Sequence, residues 1–393
     1  MEKLDVTVLP GYAREVMDGL CRAGHTAFYA GGCVRDILLG IVPGDVDIAT
    51  SALPEEVMRI FPHSVPTGIR HGTVTVCMGE GTVEVTAFRG EGEYSDQRHP
   101  DAVIFGVSPE EDVRRRDFTI NALLCDAQGM VYDYVDGRKD LADGVIRAVG
   151  NAHRRFAEDA LRMLRALRFR ARTGFLLERK TEEALCELAP LAKNLAAERV
   201  YDEIRKTLGT DRPAAVSEML GFGLIPSFGS ERLSPRAEKI LEKTAKEMRC
   251  AMFCTLLVTE GRIAAPSEFA VRMKCEKQTV TVAENILRAA EYVRADAESA
   301  RRMLAAAGED GALAAALFGD DAADVIDCIN GVLLRGEAWR ADMLALRGGE
   351  IAALLKNATQ TAEIRGKLLD WVLTHPEENT SARLAELAVA MEK

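Results

Sequence analysis

Two features of the first fifty residues restrict this chain more than anything else in it. Gly31-Gly32 closes the short apolar run Ala27 to Ala30, and Asp45-Val46-Asp47 follows after one helical segment. Val34, Ile37 and Leu38 recur at helical spacing and Gly40 supplies a stop, so the chain reads as a strand that turns sharply into a short helix. Two residues without side chains let an anion approach the backbone amides. A helix N-terminus favours that anion, and Arg35 in the first turn offers a fork to phosphate oxygens. No Gly-Lys-Ser/Thr follows, which excludes the Walker loop. Alternation in a strand points Asp45 and Asp47 to one face, their side chains about 7 Å apart, a spacing suited to shared divalent ions. Either piece alone is ordinarily a turn or a solvated strand end; their order together points to a phosphate and metal site.

The later segments carry chemistry-bearing residues in a consistent order. Val83, Val85 and Ala87 alternate with polar residues, which places Glu84 on the polar face of a strand, either as a third carboxylate or as an exposed glutamate. Arg114 to Arg116 set three cations beside Asp117, ahead of Phe118-Thr119-Ile120-Asn121. Phe156, Ala160, Met163, Leu164, Leu167 and Ala171 predict one helix over 154–173 with a buried stripe. On another face Arg155, Asp159 and Arg162 follow at i, i+4 and i+7, a surface ladder or a cooperating set. Arg165, Arg168 and Arg172 line one edge of the same helix, as a solvated face or as contacts to an RNA backbone.

These segments resemble the motifs of the class II tRNA nucleotidyltransferases, the bacterial and eukaryotic CCA-adding enzymes and the bacterial poly(A) polymerases. Gly31 to Asp36 with Asp45-Val46-Asp47 is similar to the first motif, and Arg115 to Ala122 to the second. Asp136-Gly137 with Asp140-Leu141 resembles the third, Glu158 to Arg162 the fourth, and Glu198-Arg199-Val200 with Glu203 the fifth. The resemblance covers residues 28 to 206 and implies Mg2+ on Asp45 and Asp47, with Glu84 beside them. It implies triphosphate binding at Gly31, Gly32, Arg35 and Arg116, and sugar contacts from Asp117 and Asn121. It further implies that Asp159 and Arg162 read the Watson-Crick edge of the incoming base, a carboxylate accepting from an exocyclic amine and a guanidinium donating to the ring. The expected reaction is addition of CCA to the 3' end of tRNA from CTP and ATP. Segment Glu93 to Asp101 resembles the flexible loop of enzymes that add all three nucleotides, with His99 where an arginine is usual. The alternatives are a CC-adding or A-adding enzyme, a poly(A) polymerase, or a silent RNA-binding relative.

The expected fold is α+β: a polymerase-beta-like head with a small mixed sheet over 1–148, then an all-α neck (149–210), body (211–270) and tail (271–393). Helical segments are predicted through the alanine-rich stretch 305–323, and 226–235 reads as a loop. The net charge of −11 is unusual for a protein that binds RNA, but residues 151–210 hold thirteen Lys or Arg against nine Asp or Glu. Nine cysteines without a Cys-x-x-Cys pair argue against a disulfide framework or a zinc site, and core packing accounts for Cys250 and Cys254. None of the six histidines has ligand spacing. No apolar run of membrane-spanning length occurs, so a cytoplasmic protein is expected. The resemblance implies the tRNA acceptor arm as its partner, and either a monomer or a homodimer is expected.

Overall fold

A computed structural model describes residues 3–91 and 103–392. The segment resembling a flexible loop therefore lies outside the described residues. The chain divides into two compact units, residues 1–203 with 221–226, and 204–220 with 227–393.

The first unit is built on strands β1 (Ala27–Ala30), β2 (Asp47–Thr50), β3 (Ser64–Gly68), β4 (Thr73–Met78) and β5 (Gly81–Ala87). Two short ribbon strands, β6 (Arg89–Glu91) and β7 (Val103–Phe105), precede β8 (Leu124–Cys125) and β9 (Val131–Tyr132). Seven of these form one sheet in the order β3-β4-β5-β2-β1-β8-β9. Every pairing in it is antiparallel except β2 with β5. Both faces of the sheet are covered, as the four consecutive buried residues of β1 require. Tyr29 and Ile48 join a cluster with Val16, Met17 and Leu20 of helix Gly11–Arg22. Phe28 and Ala49 face the other way, toward Phe88, Val113 and Leu124. The expected mixed-sheet head is present.

One predicted helix is two. Helices Ala152–Glu158 and Leu161–Thr173 are separated at Asp159, whose backbone is extended (φ −147°, ψ 104°). The Asp159 carboxylate accepts from Leu161 N at 3.1 Å, so this aspartate caps the second helix and does not continue the first. The ladder of Arg155, Asp159 and Arg162 along one continuous helix is thereby ruled out. Strands β10 (Val145–Ile146) and β11 (Leu176–Leu177) pair in parallel beside this segment.

The second unit is helical. Within the alanine-rich stretch, Gly308 (φ 70°) interrupts helix Ala297–Ala316, and a separate helix begins at Ala322. Buried Ala312, Ala314, Ala315 and Ala316 give this helix a small-residue face. Helices Gly348–Leu354, Thr361–Thr374 and Ser381–Met391 enclose a core of their own that includes Ile351, Ile364, Leu368, Val372 and Leu384. Buried Arg301 donates to Leu373 O at 2.6 Å and to Glu337 at 2.5 Å. No helix among the described residues is long and apolar enough to cross a membrane.

Candidate active site

The acidic residues gather at the start of β2. Val46 is buried, which leaves Asp45 and Asp47 on the open side of the chain. Parallel pairing sets Asp47 opposite Glu84 of β5, and their side chains share a face. Burial, then Glu84, then Asp45 raise the Asp47 carboxyl to about 6; Arg116 and Arg165 oppose the rise. Protein crowds this side chain, yet it remains solvent-accessible. Contact with water screens the repulsion between these carboxylates. Among the described residues no three His, Cys, Asp or Glu side chains are drawn close enough to grip an ion unaided. The donor set nonetheless fits a hard divalent cation: all ligating atoms are oxygens, and the repulsion that raises Asp47 is relieved by a positive charge.

Gly31 joins β1 to helix Gly32–Leu38 with φ 70° and ψ −123°, a conformation other residues rarely adopt. Its N–H donates to Leu123 O at 3.2 Å, and a Cβ there would stand 3.3 Å from Arg116 Nη1. Arg116 is therefore a cation at the glycine elbow, and Arg35 stands behind it, its Nη2 3.6 Å from where a Cβ on Gly32 would lie. Asp112, only 1% exposed, holds it: Arg116 Nη2 and Arg115 Nη2 donate to the two Asp112 oxygens at 3.0 and 2.6 Å. Burial would raise the Asp112 carboxyl, but Arg116 and Arg115 bring it below its ordinary value.

Asn121 lies at the meeting point of three neighbours. Its Nδ2 faces Asp117 Oδ1 at 3.4 Å, Arg116 Nη1 is 3.5 Å from its carbonyl, and its Oδ1 accepts from Arg35 Nη1. Arg35 itself is 1% exposed, so the structure turns inward the residue expected to fork onto phosphate. Its other nitrogens donate to Asp36 Oδ1, and its guanidinium lies 5.2 Å from the centre of the Phe169 ring. Burial works against the Asp117 carboxylate, but Arg165, donating at 2.7 Å, holds its pKa down.

The arginines expected to face RNA are drawn into ion pairs. Arg168 is buried and donates to Glu203 at 2.6 Å, which leaves it no exposed guanidinium. Arg165 binds Asp117, and Arg172, with 40% of its side chain exposed, binds Asp36 at 2.6 Å. Asp159 and Arg162 are brought to the same segment but do not pair. Asp159 receives Arg199 Nη2 at 2.8 Å; Arg162 is held by Glu158 at 2.8 Å and donates to Arg115 O at 3.2 Å. Asp112 was not singled out from the sequence, and its only signal there is its place in a charge-rich run three residues before Arg115. Glu158 and Arg199 were read only as members of the fourth and fifth motifs, with no role of their own.

Residues 27–147 match the poly A polymerase head domain, and 174–228 match the domain described as "Probable RNA and SrmB- binding site of polymerase A". A Lactobacillus delbrueckii CCA-adding enzyme is 47% identical over 225 residues, 57% of each chain. A Geobacillus stearothermophilus CCA-adding enzyme is 42% identical over 255 residues, 63% of each. The matched stretch thus spans a little over half the length of these curated relatives. The crystal structure of the Bacillus stearothermophilus CCA-adding enzyme in complex with CTP aligns over 96% of this chain and 95% of that one, at 30% identity and a TM-score of 0.76. The chain belongs to the class II tRNA nucleotidyltransferase family. Metal dependence is general in this family. A Thermotoga maritima CCA-adding enzyme complexed with tRNA_CCA, 19% identical with a TM-score of 0.68, shares the fold.

Family membership accounts for the third motif in structural terms. A Cβ at Gly137 would fall 2.2 Å from Thr119 O, and the Thr119 hydroxyl donates to Asp140 at 2.7 Å. This motif braces the segment that carries Asp117 and Asn121.

Proposed function

We propose that this protein adds C, C and A to the 3' end of tRNA in the cytoplasm, using CTP and ATP and releasing pyrophosphate at each step. The reading rests on one juxtaposition, the Asp45, Asp47 and Glu84 carboxylates on the open face of β2 and β5 with Gly31 and Arg116 at the adjoining elbow. The alignment with a CTP-bound CCA-adding enzyme along nearly the whole chain supports it. Asp45 and Asp47, with Glu84 beside them, would hold Mg2+, which would supply Lewis-acid polarisation of phosphate oxygens. Gly31 and Gly32 leave room for the triphosphate against the backbone, and Arg116, aimed by Asp112, offsets its charge. The terminal 3' oxygen bonds to the α-phosphorus, the bond to the β-phosphate oxygen breaks, and the hydroxyl proton passes to solvent. Asp117 and Asn121 face the sugar, while Asp159 and Arg162 read the base edge. Residues 1–148 form the catalytic head in this reading and 149–210 the base-reading neck. The body (211–270) and tail (271–393) bind the acceptor arm by shape and backbone, and Arg172 and Arg165 keep part of their side chains exposed to meet its phosphates.

The test is incubation of tRNA lacking its terminal CCA with labelled CTP and ATP. Ordered addition that stops after the terminal A is expected, and Asp47→Ala should abolish both incorporations while tRNA binding persists. A long A tail, or no incorporation by the native protein, would overturn the reading.

A further inference from the structure

The arginine that the sequence places in the first turn beyond the glycine elbow is almost wholly buried. Arg35 is 1% exposed, and its guanidinium divides between two acceptors, Asp36 Oδ1 (from Nε at 3.0 Å and Nη2 at 2.7 Å) and Asn121 Oδ1 (from Nη1). The Phe169 ring, 5.2 Å from the guanidinium carbon, flanks it. The Asn121 side-chain amide nitrogen donates to Asp117 Oδ1 at 3.4 Å, while its backbone carbonyl stands 3.5 Å from Arg116 Nη1. Arg116 is the group next to Gly31. A side chain amide has little orientational preference of its own; here the charged donor at Oδ1 fixes which end faces Asp117. Asp36 also receives Arg172 at 2.6 Å, so the same guanidinium is tied to helix Leu161–Thr173.

We infer that Arg35 is a positioning residue that works through the Asn121 side chain, holding Asp117 beside the glycine elbow, and that it makes no contact with the nucleotide. This rests on the reading of the elbow as the nucleotide site. The fork geometry is what matters, because a lysine brings one compact charge and lacks the separate nitrogens with which Arg35 meets Asp36 twice and Asn121 once. A phosphate ligand would behave differently, since phosphate accepts a lysine as a point charge.

The experiment is a double-mutant cycle on the full chain with Arg35→Lys, Arg35→Met, Asn121→Ala and the two doubles. It is read both as kcat/KM for CTP and ATP and as the Kd for CTP by calorimetry. Each single substitution is expected to lower kcat/KM by about tenfold, with Arg35→Lys as damaging as Arg35→Met. The doubles should fall within about threefold of the worse single. Multiplying losses, or an Arg35→Lys protein that keeps most of its affinity for CTP, would overturn the inference. If Arg35→Met does not fold, the cycle built on Arg35→Lys carries the same test. Absence of incorporation by the unaltered protein would count against the proposed activity, whereas the cycle in Kd still decides the role of Arg35.

Discussion

Asp47 should make the protein less stable, and removing its charge should show by how much. Its carboxyl is raised from 3.8 to about 6, with burial, Glu84 and Asp45 as the causes in that order. Between those two pH values the folded state binds more protons than the unfolded state, so stability falls as pH rises. The penalty is absent below about 3.8 and complete above about 6. Taken at face value the shift is worth about 3 kcal/mol. The side chain is solvent-accessible, so screening brings the expected figure down to about 1 kcal/mol. Asp47→Asn preserves shape and removes the charge. In a chelating buffer at pH 7.5 this variant should unfold about 2–4 °C above the native protein, and the two should converge toward pH 4. Added Mg2+ should raise the midpoint of the native protein and leave the variant nearly unmoved. A variant no more stable at pH 7.5, or a difference that persists unchanged to pH 4, would refute the account of a carboxylate strained by its neighbours.

Three other substitutions test separate parts of the structure. Asp112→Ala leaves Arg115 and Arg116 without their buried acceptor and should cost about 3–5 kcal/mol in urea melts, with loss of nucleotide binding. Arg199→Ala releases Asp159 and should raise misincorporation of UTP relative to CTP by about tenfold, the worth of one charge-assisted hydrogen bond, with the unfolding midpoint little changed. Unaltered discrimination would mean that Arg199 does not set the Asp159 carboxylate. Arg301→Met removes the donor to Leu373 O and Glu337 and should destabilise the helical unit by about 3 kcal/mol in chemical denaturation, while nucleotide affinity stays the same.

What the sequence made legible follows from periodicity. Alternation through Asp45-Val46-Asp47 and Val83-Glu84-Val85 is local, and burial of the valines alone sends the three carboxylates to one side. Arg35 escaped that logic because its helix buries four consecutive residues, Cys33 to Asp36. Helical spacing names a stripe, but a short helix inserted between a sheet and another helix has no solvent side to spare for the charge. Arg168 was misplaced for a related reason, since its acceptor Glu203 is thirty-five residues away. The break at Asp159 had a weak local signal, an aspartate able to cap, outweighed by apolar spacing that continues in phase on both sides of it. Gly308 was visible in the alanine-rich stretch, but a single glycine there does not announce a left-handed turn.

The one parallel pairing in the main sheet has an implication for how the cluster of Asp45, Asp47 and Glu84 tolerates change. No tight turn joins β2 to β5, so nothing local dictates which residue meets Asp47. A slip by a single position would carry Glu84 through to the apolar face and bring a valine up in its place. The register of Glu84 against Asp47 is instead carried through the hairpin of β4 and β5, so an insertion between Met78 and Gly81 threatens it more than one in the longer connection from Thr50 to Ser64.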